Sequence, residues 1–245
     1  NQISGNIGAA GLSVVDSTGL TVTSTGIHSQ AGNVRLIAAS GNMVLNGSID
    51  ANGSGNIVLA ASTGNFVNNV GANALTTDSG TWMVYSSSPL LNTDNNLAPQ
   101  FKVYNANLTS SLPIGTAGQS GYIYTIAPFI NVALVSSNAT EIRKTYDRNT
   151  NATIVAGNYD TTNGTITGDI VTLNNPTSGI YEDKWAATGG KRVTVGNLSI
   201  ANAVNGNIAV YGYQLANTTV SANIGIIDKA NLTVVGMVAL DKVYD

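Results

Sequence analysis

Few residues in this chain could carry enzyme chemistry. His28 is the single histidine, cysteine is absent, and the 13 acids are scattered over 245 residues. Without cysteine, thiol nucleophiles, thiolate metal sites and disulfides are excluded together. A Ser-His-Asp arrangement around His28 lacks the G-x-S-x-G elbow that would present the serine, and His28, between Ile27 and Ser29, is expected at a solvent-facing coil corner. Acid and base work by paired carboxylates needs two acids facing one groove. The N-terminal third offers Asp16, Asp50 and Asp78, none at a recurring strand position. Asp147, Asp160 and Asp169 could converge on calcium, yet the EF-hand loop and the Gly-Gly-x-Gly-x-Asp repeat are both absent; solvated turn carboxylates are the expected reading. The residues therefore predict no enzyme, no metal and no cofactor.

The remaining chemistry-bearing types point elsewhere. Trp82 and Trp185 are expected in the core, and Tyr146 and Tyr244 as packing residues with a bonded hydroxyl. Asn-x-Ser/Thr sequons stand at Asn46, Asn52, Asn107, Asn138, Asn151, Asn163, Asn197, Asn217 and Asn231, while Asn175 is spoiled by Pro176. They are candidate glycosylation sites in a chain whose richness in Asn, Ser and Thr also produces sequons by chance. With a net charge of -3 and lysines and arginines scattered singly, nothing forms the basic stripe that nucleic acid would need.

Strands and turns must position these residues, because only 9% of the chain is charged and Gly, Asn, Ser, Thr, Val, Ile and Ala dominate. Gly32-Asn33 recurs as Gly55-Asn56, and Gly41-Asn42 as Gly64-Asn65, both at an offset of 23 residues. The same offset lays Leu36 on Leu59, Ala38 on Ala61, Val44 on Val67 and Asn46 on Asn69. With spacing shortened by one, Gly19–Ile27 falls on Gly41–Ile49, and Leu12–Val15 supplies an earlier strand. A unit of short strands cannot bury its apolar side alone. Stacking coils about 4.8 Å apart solves this, the arrangement of a parallel β-helix. Gly and Asn suit the corners because they tolerate positive φ.

The period breaks at GTWMVYSSSPLL (Gly80–Leu91), followed by FKVYNANL (Phe101–Leu108) and SGYIYTIAP (Ser120–Pro128). Residues 80 to 128 are read as a closure of the solenoid end, whose open edge would otherwise pair with other chains. The run W-M-V-Y-S-S-S-P, F-K-V-Y-N and G-Y-I-Y-T-I-A-P resembles the segment ending the β-helical shaft of filamentous-haemagglutinin-like exoproteins of two-partner secretion. That resemblance implies a right-handed helix and an outer-membrane secretion partner for the parent chain.

KTYD at Lys144–Asp147 returns as KVYD at Lys242–Asp245, an offset of 98 residues that also sets Leu134 on Leu232 and Ile142 on Leu240. This predicts one module over 129–227 and the start of the next over 228–245, after a β-helix end with its cap over 1–128. Strands are expected at Gly168–Leu173, Gly189–Ile200, Tyr211–Leu215 and Asn223–Val235. With K-T-Y-D and E-D-K-W (Glu182–Trp185), the module resembles the YDG-type repeat of large bacterial surface adhesins, which implies a sandwich-like or β-grasp-like fold. Arg148 stands where that family has Gly after Tyr-Asp, so the turn is expected to be made differently or shifted to Asn149 or Asn151.

The expected whole is an all-β, secreted or surface-displayed segment that projects a binding region for cell, host or biofilm-matrix attachment, with a glycan, protein receptor or matrix polysaccharide as partner. Two other readings stay open: a self-associating extracellular filament, and a polysaccharide-binding or polysaccharide-cleaving β-helix.

Overall fold

The computed structural model describes every residue except 239, 243 and 245. The chain is all-β, with β-solenoid-like stacking, several separate sheets and no α-helix among the described residues. It divides into two compact units. The first holds 1–131, 161–173 and 200–216; the second holds 132–160, 174–199 and 217–245. These units are not continuous along the chain, so they do not coincide with the linear division at residue 128.

In the first unit the coils stack at the spacing read from the Gly-Asn pairs. Val34–Ala38 pairs in parallel with Ile57–Ala61, Leu36 on Leu59 and Ala38 on Ala61, and Val44 lies on Val67. A Cβ added to Gly55 would stand 2.7 Å from the Gly32 carbonyl oxygen, so these glycines lie one over the other in adjacent coils. Asn side chains tie the corners: Asn33 Oδ1 accepts from Asn56 N at 2.8 Å, Asn42 Oδ1 from Asn65 N at 3.0 Å, and Asn69 Nδ2 donates to Asn46 Oδ1 at 2.8 Å. Interior positions are fully buried, among them Leu36, Leu45, Ile49, Ile57, Leu59 and Phe66.

One expected register is corrected. Leu20 pairs with Met43 and Val22 with Leu45, an offset of 23, and only from Ile27 on Ile49 does it become 22. Keeping 22 throughout would turn Leu20 and Val22 outward, because a one-residue slip flips every side chain. The missing residue is absorbed between the two strand halves, where Ser24 and Thr25 are exposed and Gly26 takes φ +74°.

Stacking does not stop at residue 80. Trp82–Ser86 pairs in parallel with Ile57–Ala61, then Gly121–Tyr124 adds to it, then Phe101–Val103, then Ile208–Tyr211. Ile200–Asn205 and Ile170–Leu173 complete the nine-stranded sheet in antiparallel fashion. Aromatic rings fill this end: Trp82 meets Tyr122 edge-on at 5.4 Å, Tyr122 and Tyr124 stack at 6.0 Å, Tyr104 and Tyr124 at 5.6 Å, and Tyr213 meets Tyr104 edge-on at 5.1 Å. Trp82 is core, as expected, at 6% exposure.

The second unit is built on a five-stranded sheet ordered Ile142–Thr145, Val220–Asp228, Ala187–Val195, Ser178–Tyr181, Asn151–Thr153. Its first pair is parallel and the others antiparallel. Tyr181 is buried and its hydroxyl donates to the carbonyl of Ile142 at 2.9 Å, joining the parallel edge to the sheet centre. Beyond Asp228 the described residues form no strand, and Leu232, Val234, Val235 and Met237 are exposed. Of the closing KVYD, Val243 and Asp245 lie outside the described residues.

Candidate functional site

The candidate catalytic residues are not assembled into a reactive site. His28 lies within the strand Leu20–Ser29 and not at a corner. Its Nδ1 meets Asp50 Oδ2 at 2.6 Å and its Nε2 faces the Thr25 carbonyl at 3.3 Å, so both ring nitrogens are committed without a nucleophile. Asp16 accepts from Thr18 N at 2.8 Å, and those bonds with Thr18 and Asn1 hold its carboxyl below the usual range. Asp78 accepts from Gly53 N at 2.7 Å. No group of three acids or histidines able to hold a metal occurs among the described residues. All nine sequon asparagines are exposed.

Asp169 departs from the solvated-turn expectation: its side chain is fully buried in the first unit. Oδ2 accepts from the Tyr104 hydroxyl at 2.6 Å and the Tyr213 hydroxyl at 2.8 Å, Oδ1 accepts from Asn205 Nδ2 at 2.7 Å, and Lys102 Nζ stands 4.0 Å away. Phe101 and Val103 pack into an apolar cluster on the opposite face, so strand alternation sends Lys102 to the carboxylate side. Nearby, Asp94 Oδ1 and the Tyr124 hydroxyl have no hydrogen-bond partner among the described residues, and burial raises the Asp94 pKa. This polar knot is a structural anchor.

Burial is the main cause raising the pKa of Tyr104, Tyr122, Tyr124 and Tyr213 above the ordinary 10.0, with Asp169 or Asp94 adding to it. Stability from these protonated hydroxyls is therefore fully present below pH 10.0 and is lost as pH rises beyond it. In an alkaline titration followed by tyrosinate absorbance and circular dichroism, these four rings are expected to ionise only together with loss of β structure.

The surface feature with binding character is in the second unit. Trp185 is 62% exposed, which overturns its assignment to the core. Its indole stacks on Tyr146 with centroids 6.2 Å apart and planes within 10°, and Lys184 Nζ lies 5.2 Å from the ring centroid. The loop is held firmly: Asp183 Oδ1 accepts from Trp185 N at 2.7 Å and from the buried Lys191 Nζ at 2.6 Å. Across the pair, Lys144 Nζ donates to Asp147 Oδ1 at 2.8 Å and to the Asn149 carbonyl at 2.7 Å. Arg148 itself adopts φ +71°, so the turn after Tyr-Asp keeps a glycine-like conformation with a side chain in place. Tyr146 and Trp185 thus come from KTYD and EDKW.

Residues 131–221 match the YDG domain. No curated protein and no solved structure matches the chain. The YDG match covers well under half of the sequence and includes both motifs that meet at Trp185. It also spans 161–173 and 200–216, which belong to the first unit, so the YDG segment contributes strands to the solenoid-like sheet as well as building the second unit. The Asp169 knot, with Asn205 and Tyr213, lies in that shared part of the YDG match. Sequence reasoning missed the knot because its members are up to 103 residues apart; Lys102, an unpaired lysine between two apolar strand positions, was the available signal.

Proposed function

We propose that this chain is a structural and adhesive segment of a large bacterial exoprotein of the two-partner-secretion type, displayed outside the cell and engaged in attachment to a host surface, another cell or a biofilm matrix. The observation that carries this reading is the rigidly presented Trp185–Tyr146 pair. An exposed indole fixed by a buried lysine and an aspartate costs side-chain freedom and hydration, and such preorganised aromatic surface is characteristic of binding hot spots. Stacked coils with continuous backbone pairing supply a stiff support that needs no disulfides. The resemblance of the W-M-V-Y-S-S-S-P segment to shaft ends of secreted exoproteins supports an extracellular setting.

The test is attachment of beads coated with the purified chain to bacterial, host-cell and matrix-polysaccharide surfaces. Trp185→Ala is expected to cut retention on the bound surface by about tenfold, as loss of a hot-spot residue worth about 1–2 kcal/mol would, with the melting temperature unchanged because the ring is exposed. Equal retention by the variant and the parent on every surface refutes the reading.

Self-association is the second reading, favoured by one observation. Leu12–Asp16 terminates the nine-stranded order with one edge unpaired among the described residues, and Val15 beside that edge is exposed. Sedimentation at rising concentration separates the two: a monomer that attaches supports adhesion, and growing fibres support a filament.

A further inference from the structure

A groove of about 330 Å³ lies in the first unit between the outer face of Ile57–Ala61 and Trp82–Ser86 and the turn beginning at Asn107. Its floor is Ala60 and the half-buried ring of Tyr85, and its rim carries Ser62, Asn107, Thr109 and Thr125. None of the lining residues is charged. Three of its polar groups are weakly engaged. The Tyr85 hydroxyl meets only Met83 Sδ, at 3.7 Å, a poor acceptor. Thr125 Oγ1 reaches the Ser87 carbonyl only at 3.4 Å. The Asn107 carboxamide oxygen accepts from Thr109 N at 2.9 Å and Thr109 Oγ1 at 2.7 Å, which fixes the turn and leaves the Nδ2 hydrogens as donors. The preceding residues are pinned to the sheet, Asn105 N to the Ile126 carbonyl at 2.7 Å and Ala106 N to the Tyr124 carbonyl at 3.0 Å, so the rim is preorganised.

We propose that this groove binds a neutral pyranose unit of a glycan, with the sugar's C–H face on Tyr85 and its hydroxyls on the rim. The inference rests on the attachment reading and names a ligand class for it. Small-molecule sites are concave and largely apolar with a few polar groups that fix orientation, and a volume of this size suits one or two sugar rings. A carboxylated, sulfated or phosphorylated sugar would lose hydration with no cation to replace it. A purely apolar ligand would leave the tyrosine, threonine and asparagine groups unpaired. A neutral sugar, amphipathic and rich in groups that both donate and accept, satisfies the floor and the rim together. Burial raises the Tyr85 pKa, which keeps its hydroxyl a proton-bearing donor.

The experiment is saturation-transfer NMR and titration of the whole chain with a panel of methyl pyranosides, neutral oligosaccharides, uronates and sulfated sugars. At least one neutral sugar is expected to bind in the millimolar range or tighter. Tyr85→Ala should weaken it by about tenfold or more. Ser62→Trp, made at an exposed rim position outside the core, should block it sterically with the circular dichroism spectrum unchanged. Binding of none of the neutral sugars, preference for the charged ones, or undiminished binding by Ser62→Trp overturns the proposal. Bead attachment that still depends on Trp185 while sugar binding fails removes the groove site alone; loss of both removes the adhesive reading with it.

Discussion

Asp169→Ala is expected to destabilise the first unit by about 3–5 kcal/mol, the cost of breaking a buried charge network by deleting one partner. The carboxylate is fully buried and is the shared acceptor for the hydroxyls of Tyr104 and Tyr213 and for Asn205 Nδ2. Removing it leaves these donors facing one another and strands the Lys102 charge, which is mostly buried. Asp169→Asn keeps one acceptor oxygen and should lose clearly less. Urea unfolding followed by the fluorescence of Trp82, which touches Tyr122 in the same aromatic stack, reads the difference. An alanine variant within 1 kcal/mol of the parent, on the order of a single ordinary hydrogen bond, would show that the knot does not anchor this end of the unit.

Gly64→Ala is expected to be comparably damaging for a different reason. A Cβ at Gly64 would overlap the carbonyl of Gly41 in the coil beside it and stand 2.9 Å from Asn42 N. Neither obstacle is a flexible side-chain tip, so the coils must part locally, at a cost of about 3 kcal/mol by comparison with overpacked cores. Gly8→Ala is the control, since its Cβ would meet nothing within 4 Å. Thermal unfolding of both variants should show a large drop for Gly64 and almost none for Gly8. The contrast separates glycines required for close approach from glycines that merely sit in turns.

The solenoid was legible because two kinds of residue recorded one period. Gly-Asn corners and the apolar positions Leu36, Ala38, Ile57 and Leu59 agree on 23, and the structure stacks them accordingly. At Gly19–Ile27 a glycine-to-glycine match suggested a uniform 22, whereas burial of Leu20 and Val22 decides the true register. Alternation in Ile170–Leu173 and Ile200–Asn205 announced strands but not their partners, which is why their membership of the nine-stranded sheet was not foreseen. Trp185 was misplaced because an indole is buried on average, and nothing local says that Asp183 and Lys191 hold this one in the open. The groove at Tyr85 was equally hidden, since it needs Asn107 and Thr125 to meet across the outer face of the sheet.

The alternation of the chain between its two compact units, which changes sides after residues 131, 160, 173, 199 and 216, has a consequence for how such a protein fails. Beads on a string come apart when one connector is nicked. Here a protease that severs any single crossing leaves the backbone still threaded through both units by the other four, so damage outside the cell would scar the molecule without shedding its distal part.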